Sequence, residues 1–294
     1  MRVVHARKRI EKKDCAFTNK FNLLVWALSV LKWKEYGNEL VMYADKETLA
    51  DMKKFGLDKL YDEVNTDLFE NGDVCQNIDF YFFWAMPKII SLHYETFHLG
   101  NNVLVADQDV VPIRDFSKLY NLADVLVWSN KEMVEDRRLY PPVHKLSLPK
   151  DYELPEWFTG DMKPLNTGVI YFRKKNNAIE YCDEVFKYAK CNDNCNNNNR
   201  AITMCNAEQR MLGEWLKHKN LTYMTVQPAN EGLFNKYAFH THGYKNIVGN
   251  ENGTEWHIRL LKMIKECNED YYNKLLCCEL FATEKAILKK ENNL

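Results

Sequence analysis

The chain has 294 residues, of which 46% are hydrophobic and 28% are charged, and its formal net charge at pH 7 is −1. This is the composition of an ordinary globular protein with enough apolar material for a sizeable core. Because the net charge is close to zero, there is no broad basic surface and we expect no nucleic-acid partner. The nine cysteines do not form the disulfide framework of a small secreted domain in a chain this long. We therefore expect a reducing, cytoplasmic location.

An apolar stretch near the N-terminus, FNLLVWALSVL, covers residues 21–31. It is too short to span a bilayer, and no small-residue cleavage site follows it. Its apolar residues fit the spacing of an amphipathic helix packed on a sheet. We expect no transmembrane segment.

Short apolar runs alternate with helical patterns along the first 130 residues. The runs predict strands at residues 2–6, 39–44, 61–64, 102–106 and 123–129, and the patterns predict helices at residues 18–36, 45–56 and 79–97. Strands that alternate with helices predict right-handed crossovers and a mainly parallel sheet flanked by helices, as in Rossmann-like α/β folds.

The second half of the chain adds a long segment without periodicity, rich in proline and aromatic residues, at residues 135–161. Loops this long in compact domains are usually functional. Further on, the sequence predicts a strand at residues 165–174, helices at 176–190 and 206–219, and a histidine-bearing loop at 239–246. Residues 255–294 have a helical pattern, and we expect them to form an extension packed on a domain of residues 1–254. The tail could also serve as a homo-oligomer contact.

Two carboxylates follow the strand predicted at residues 102–106. Asp107 and Asp109 are separated by Gln108, so on an extended segment both carboxylates point the same way. In a parallel sheet, ligands bind beyond the carboxyl ends of the strands. The pair therefore suits a shared divalent cation, although acidic pairs are also common at ordinary loop starts. An EF-hand loop is excluded because Val111 and Pro112 stand where oxygen ligands and glycine belong.

Three more polar clusters follow this pair in a definite order. Together the four clusters match D-x-D, N-[ST]-G, D-Q-x-x-L and part of H-x-x-G-x-x-K, at Asp107-Gln108-Asp109, Asn166-Thr167-Gly168, Glu208-Gln209-Arg210-Met211-Leu212 and His240-Thr241-His242-Gly243 with Lys245. In this order the chain resembles glycosyltransferase family 8 and related GT-A enzymes, a group that includes glycogenin and bacterial lipopolysaccharide galactosyltransferases. The resemblance covers roughly residues 2–245. It implies a single GT-A-type domain with a Rossmann-like sheet.

The resemblance implies a metal-dependent glycosyltransferase that moves a sugar from a UDP-sugar to an acceptor hydroxyl with retention of anomeric configuration. A divalent ion held by carboxylates and phosphates can act as Lewis acid for the diphosphate leaving group. The metal ligands implied are Asp107, Asp109 and His240, which stands three residues before Gly243 as in the family motif. An imidazole ligand shifts the preference from Mg²⁺ toward Mn²⁺.

Further site residues follow from the same resemblance, some of them outside the four motifs. The resemblance implies that the nucleotide sugar is contacted by Val4, His5, Ala6, Lys88, Asp107, Gln108, Asn166, Thr167, Gly168, Gly243 and Lys245. It implies catalytic roles for Asn166, Glu208 and Gln209. Lys88 and Lys245 are candidate phosphate clamps. Two positions depart from the family motifs: Glu208 stands in place of the usual aspartate, and Lys245 comes one place early.

Two other functions stay open at the level of sequence. A nucleotidyltransferase would also place aspartates at a strand end, although the first strand is not followed by a glycine-rich phosphate loop. A catalytically silent binding protein would keep the same fold. The long segment at residues 137–161 is expected to shape the acceptor site, and its aromatic residues either stack on an acceptor sugar or anchor the loop in the core: Tyr140, Tyr152, Trp157 and Phe158.

Overall fold

The computed structural model describes residues 1–10, 19–72, 77–130, 139–146, 148, 152–190, 200–227, 237–241 and 253–291. The strands are β1 (Arg2–Arg7), β2 (Glu39–Ala44), β3 (Glu63–Asn65), β4 (Val103–Ala106), β5 (Val110–Pro112), β6 (Val125–Ser129), β7 (Asn166–Phe172), β8 (Tyr223–Thr225) and β9 (Ala238–His240). The helices are α1 (Lys20–Glu35), α2 (Lys46–Phe55), α3 (Asp67–Asn71), α4 (Met86–His93), α5 (Lys175–Lys190), α6 (Arg200–Cys205), α7 (Met211–His218), α8 (Gly253–Cys267), α9 (Glu269–Cys277) and α10 (Ala282–Glu291).

Within the described residues, seven strands form one sheet in the order β3-β2-β1-β4-β7-β6-β8. Strand β7 runs antiparallel to its neighbours β4 and β6, and the other pairs in the sheet are parallel. Strands β5 and β9 form a separate antiparallel pair. The predicted α/β fold with a mainly parallel sheet flanked by helices is confirmed.

Each face of the sheet carries its own hydrophobic core. On one face the core contains residues of α1, β5 and the C-terminal helices, and α1 packs against both α8 and β5. On the other face it contains residues of α4, α5 and α7. Strands buried on both faces explain why β1, β2 and β4 are almost continuously apolar in sequence.

Local sequence signals set several element boundaries. Helix α2 begins after Asp45, whose carboxylate accepts a hydrogen bond from the Thr48 amide at 2.8 Å, and it ends at Gly56, which has a left-handed φ of 67°. Pro87 lies in the first turn of α4, where its missing N–H costs no helical hydrogen bond. The boundaries predicted at Asp45 and Gly56 are confirmed, whereas the helix predicted at residues 79–97 begins only at Met86.

The C-terminal tail is helical, as predicted. Leu260, Leu261 and Ile264 of α8 are buried against the rest of the chain. The buried carboxylate of Glu284 in α10 accepts hydrogen bonds from Lys20 at 3.0 Å and pairs with Nδ1 of His257 at 2.9 Å. The main apolar face of α8 is therefore buried within this chain. A homo-oligomer through the tail stays a prediction. No helix in the described ranges is long and apolar enough to cross a membrane.

Two elements near the site differ from the sequence prediction. The helix expected at residues 206–219 begins earlier, at Arg200, and residues Asn206–Arg210 form a wide π turn between α6 and α7. Glu208 therefore lies inside a helix, and its expected position at a helix start is wrong. The histidine-bearing loop begins as strand β9, paired with the short strand β5 that sequence periodicity did not indicate.

Candidate metal centre and its surroundings

The chain turns sharply where β4 ends at the carboxyl edge of the sheet. The Asp107 amide donates to the Gly168 carbonyl at 2.8 Å, and the Val110 amide donates to the Asp107 carbonyl at 3.1 Å. This turn directs the chain from β4 into β5 and leaves Asp107 half-buried and Asp109 buried. The side-chain amide of Gln108 donates to the Ala6 carbonyl at 2.7 Å and so fastens the turn to the end of β1.

The pairing of β5 with β9 brings His240 to the two aspartates. Val110 lies opposite His240 in the antiparallel ladder. The Nε2 atom of His240 is 3.2 Å from Oδ1 of Asp109 and 3.7 Å from Oδ2 of Asp107. One ligand atom from each of the three residues lies within 4.8 Å of the others. Two carboxylates and an imidazole at this spacing fit a divalent transition metal such as Mn²⁺, which these residues would hold.

Three neighbours hold the ring of His240 and the carboxylate of Asp109 in place. Trp128 lies edge-on to the His240 ring, with the ring centroids 5.2 Å apart. Gly168 lies so close to the ring that a Cβ atom on this glycine would come 2.8 Å from Cε1 of His240. The Thr241 hydroxyl donates to Oδ2 of Asp109 at 3.3 Å. Sequence reasoning missed Trp128 and Thr241, although Thr241 is adjacent to a predicted ligand.

A buried lysine connects the metal ligands to the predicted catalytic glutamate. The Nζ atom of Lys88 is 3.0 Å from Oδ1 of Asp107 and 2.8 Å from Oε1 of Glu208, and it donates to the Thr167 carbonyl at 3.1 Å. The Thr167 hydroxyl donates to the same oxygen of Glu208. Lys88, Thr167 and Glu208 are all buried, so this network is shielded from water.

The charge of Lys88 is fixed by its surroundings. Burial alone would lower the pKa of Lys88, but the charges of Asp107 and Glu208 and their hydrogen bonds outweigh it and raise the pKa above its ordinary value. Lys88 is therefore an ammonium ion at any physiological pH, and its three N–H donors are directed at Asp107, Glu208 and Thr167. Its predicted contact with a phosphate requires at least one of these bonds to exchange.

The other residues predicted to contact the nucleotide lie around this network. Ala6 is at the end of β1, beside Gln108, whereas the side chains of Val4 and His5 are fully buried in the two cores. The Asn166 side chain accepts a hydrogen bond from the Gly168 amide at 2.8 Å, which shapes the start of β7. Gly243 and Lys245, together with His242, lie outside the described residues.

His5 belongs to a buried chain of hydrogen bonds on the α1 side of the sheet. The indole N–H of Trp26 donates to the Tyr61 hydroxyl at 2.6 Å, and that hydroxyl shares a second hydrogen bond, of 2.7 Å, with Nδ1 of His5. Burial lowers the pKa of His5 to about 3, although the charge of Asp109 opposes the shift. His5 is thus a neutral core residue.

The π turn between α6 and α7 forms hydrogen bonds to the long segment that precedes β7. The Tyr140 hydroxyl donates to Oε1 of Gln209. Arg210, which is buried, donates to the carbonyls of Pro141 at 2.7 Å and Gly160 at 3.1 Å. A π turn inside an α-helix is frequent at functional sites because it displaces side chains from the regular helical pattern. Here it directs Glu208 to Lys88 and Gln209 to the segment.

The aromatic residues of that segment act mainly as anchors. Tyr140, Tyr152 and Phe158 are buried, so they are not exposed platforms for an acceptor sugar. Trp157 is stacked on His218, with centroids 5.2 Å apart and planes 17° apart. Since His218 is ten residues beyond Glu208, a helical rise places it about 15 Å from the glutamate along the helix.

Comparison with known proteins identifies the family of this chain. The model for the nucleotide-diphospho-sugar transferase family matches residues 36–263. This chain belongs to that family. No curated protein matches it significantly.

Similar solved structures include two glycosyltransferases. The crystal structure of mouse xyloside xylosyltransferase 1 in its apo form shares 12% sequence identity, with a TM-score of 0.43 and coverage of 77% of this chain and 84% of that chain. The PaToxG glycosyltransferase shares 11% identity, with a TM-score of 0.39 and coverage of 94% of this chain and 83% of that chain. Membership in the nucleotide-diphospho-sugar transferase family indicates a transferase that uses a sugar nucleotide and an acceptor.

Proposed function

We propose that this protein is a Mn²⁺-dependent hexosyltransferase that moves a sugar from UDP-sugar to an acceptor hydroxyl with retention of configuration. The observation that carries the proposal is the convergence of Asp107, Asp109 and His240, from two distant parts of the chain, at the carboxyl edge of the sheet. In a sugar-nucleotide transferase, this is the edge at which a diphosphate would bind. UDP as the nucleotide, retention and membership in glycosyltransferase family 8 are supported by the motif resemblance.

The metal supplies electrophilic stabilisation of the diphosphate leaving group when bound. Asp107, Asp109 and His240 would hold it, while Thr241 and Trp128 orient two of these ligands. Ligands fixed in this way keep their geometry without reorganising when charge develops on the leaving group.

Glu208 and Gln209 place the transferred sugar in this proposal. The carboxylate of Glu208 is held by Lys88 and Thr167, so the extra methylene relative to aspartate is accommodated by a defined set of partners. The amide of Gln209 faces the segment that carries Tyr140. We infer that Glu208 lies on the donor side of the reaction centre and Gln209 on the acceptor side.

The decisive experiment is a panel of UDP-, GDP- and CMP-sugars measured by thermal shift with and without Mn²⁺, followed by nucleotide release. We expect a UDP-sugar to stabilise the fold only when Mn²⁺ is present, by about 2.7 kcal/mol at a hundredfold its Kd. UDP release should follow with an acceptor. Stabilisation without any release would indicate a silent binding protein, and pyrophosphate release from a nucleoside triphosphate and a sugar phosphate would indicate a nucleotidyltransferase.

A further inference from the structure

Lys88 and a divalent cation need the same carboxylate. The ammonium group lies 3.0 Å from Oδ1 of Asp107 and 2.8 Å from Oε1 of Glu208, and the side chain of Lys88 is 8% exposed. Asp107 is also one of the three residues that converge to form the candidate metal centre. Lys88 pairs with Oδ1 of Asp107, whereas Oδ2 is the oxygen near His240. A carboxylate whose single charge is already paired with an ammonium ion through one oxygen is a weaker ligand for a cation at the other.

Lys88 partly balances the charge of the carboxylates around the candidate metal centre. The carboxylates of Asp107, Asp109 and Glu208 carry three negative charges, and Lys88 contributes one positive charge. The difference of two negative charges is what a divalent cation balances. In the absence of metal, Lys88 is therefore the counter-ion that the described part of the site supplies to this buried acidic group.

We propose that Lys88 is a positioning residue that competes with the metal for Asp107. A cation held by Asp107 through Oδ2, the oxygen that lies 3.7 Å from Nε2 of His240, would draw on the charge of the carboxylate that Lys88 holds through Oδ1. The bond from Lys88 to Asp107 would weaken, and the ammonium would depend more on Glu208 and the Thr167 carbonyl. The N–H donor that Asp107 holds would then be able to turn to a phosphate at the same edge of the sheet. The predicted phosphate contact of Lys88 thus becomes available only after the metal has bound. This inference rests on the proposed metal-dependent function.

The competition predicts opposite effects for two residues that are not metal ligands. In Lys88→Met the competitor is gone, so Mn²⁺ should bind in the absence of any nucleotide about tenfold more tightly than in the wild type. In Glu208→Gln the lysine loses its other carboxylate and pairs more strongly with Asp107, so Mn²⁺ should bind more weakly. Lys88→Arg keeps the charge and should restore the affinity of the wild type to within a few-fold.

The measurement is a titration of Mn²⁺ followed by electron paramagnetic resonance of the free ion, with no nucleotide present. Circular dichroism should show that each variant is folded. Lys20→Met is the matched control, because Lys20 also pairs with a buried carboxylate, that of Glu284, far along the sequence from the metal ligands. It should leave the affinity for Mn²⁺ unchanged.

A double variant keeps the test decisive if removing Lys88 alone unfolds the chain. Lys88→Met combined with Glu208→Gln removes one charge of each sign, and it should bind Mn²⁺ more tightly than Glu208→Gln does. An affinity that is unchanged or weaker in both Lys88→Met and the double variant would overturn the competition, because Lys88 would then be only a phosphate ligand or a structural residue. If the wild type itself did not bind Mn²⁺, the proposed metal-dependent function would fail instead.

Discussion

The ring of His240 lies directly against the Cα atom of Gly168, with space for no side chain between them. A Cβ atom at this position would be 2.8 Å from Cε1 and 2.9 Å from Nδ1 of the histidine. Contacts shorter than 3.0 Å to a ring held by Trp128 force the ring to move. Gly168 is thus the residue that allows the third candidate ligand to reach Asp107 and Asp109.

We predict that Gly168→Ala weakens Mn²⁺ binding about 10- to 100-fold, the range typical of a disturbed metal-ligand shell. Isothermal titration calorimetry with Mn²⁺ alone measures this effect. Gly100→Ala is the control, since Gly100 has a positive φ of 66° and a Cβ atom there would contact only Nζ of Lys175, at an ordinary distance of 3.9 Å. The control should cost stability without changing the affinity for the metal. Equal affinity in both variants would show that the ring of His240 is not constrained by Gly168.

The ligand assignment itself is tested by Asp109→Asn. We predict that this variant folds normally but loses Mn²⁺-dependent turnover, because an amide is a poor substitute for a buried anionic ligand. Thr241→Val keeps the shape of the neighbouring side chain and removes only its hydrogen bond to Asp109, which measures 3.3 Å. Thr241→Val should therefore lose less of its Mn²⁺-dependent turnover than Asp109→Asn does. Wild-type turnover in EDTA, or a normal rate for Asp109→Asn, would contradict the assignment.

Much of the fold could be predicted from the sequence because its signals are local. Strand β2 and helix α2 follow from an apolar run, a capping aspartate and a terminal glycine that act within a few residues of one another. The three-residue strands β5 and β9 could not be predicted, since they exist only because they pair with each other across more than a hundred residues. Their pairing is what brings His240 to Asp109.

Some residues of the candidate site could also be predicted from the sequence, and others could not. The D-x-D pair and His240 were identified by motif, and the structure brings them together. The two bonds of Lys88 to Asp107 and Glu208 were not foreseen, because no sequence pattern reports which buried charge meets which. The π turn that directs Glu208 was missed because its sequence has ordinary helical periodicity.

The segment before β7 offers a test of the acceptor side. We predict that Tyr140→Phe, which removes the hydrogen bond to Gln209, reduces transfer to an acceptor more than it reduces hydrolysis of the donor. Trp157→Ala should have the smaller effect on this ratio, because Trp157 is stacked on His218 at the far end of α7. The two rates are compared in one assay with and without acceptor. A larger change in Trp157→Ala would place the acceptor near His218 instead.

The buried histidine of β1 predicts how stability depends on pH. Burial lowers the pKa of His5 to about 3 in the folded protein, whereas an unfolded chain has a histidine pKa of about 6.5. Between these values the unfolded chain binds more protons than the folded one, so acid favours unfolding. The contribution of the neutral His5 to the free energy of unfolding is complete above pH 6.5. It is lost at up to about 1.4 kcal/mol per pH unit as the pH falls toward 3.

We therefore predict that His5→Asn flattens this dependence. The asparagine does not titrate, and its side-chain amide can either donate to or accept from the Tyr61 hydroxyl. The free energy of unfolding is measured with urea at pH 7.0 and at pH 5.5, with EDTA present so that metal binding does not contribute. Its decrease between these two pH values should be smaller in His5→Asn than in the wild type by about 1.2 kcal/mol. His144→Asn, at an exposed position, is the control and should keep the wild-type dependence. If His5→Asn lost as much stability as the wild type over this range, His5 would have to carry its proton in the folded state, and its placement in the core would be wrong.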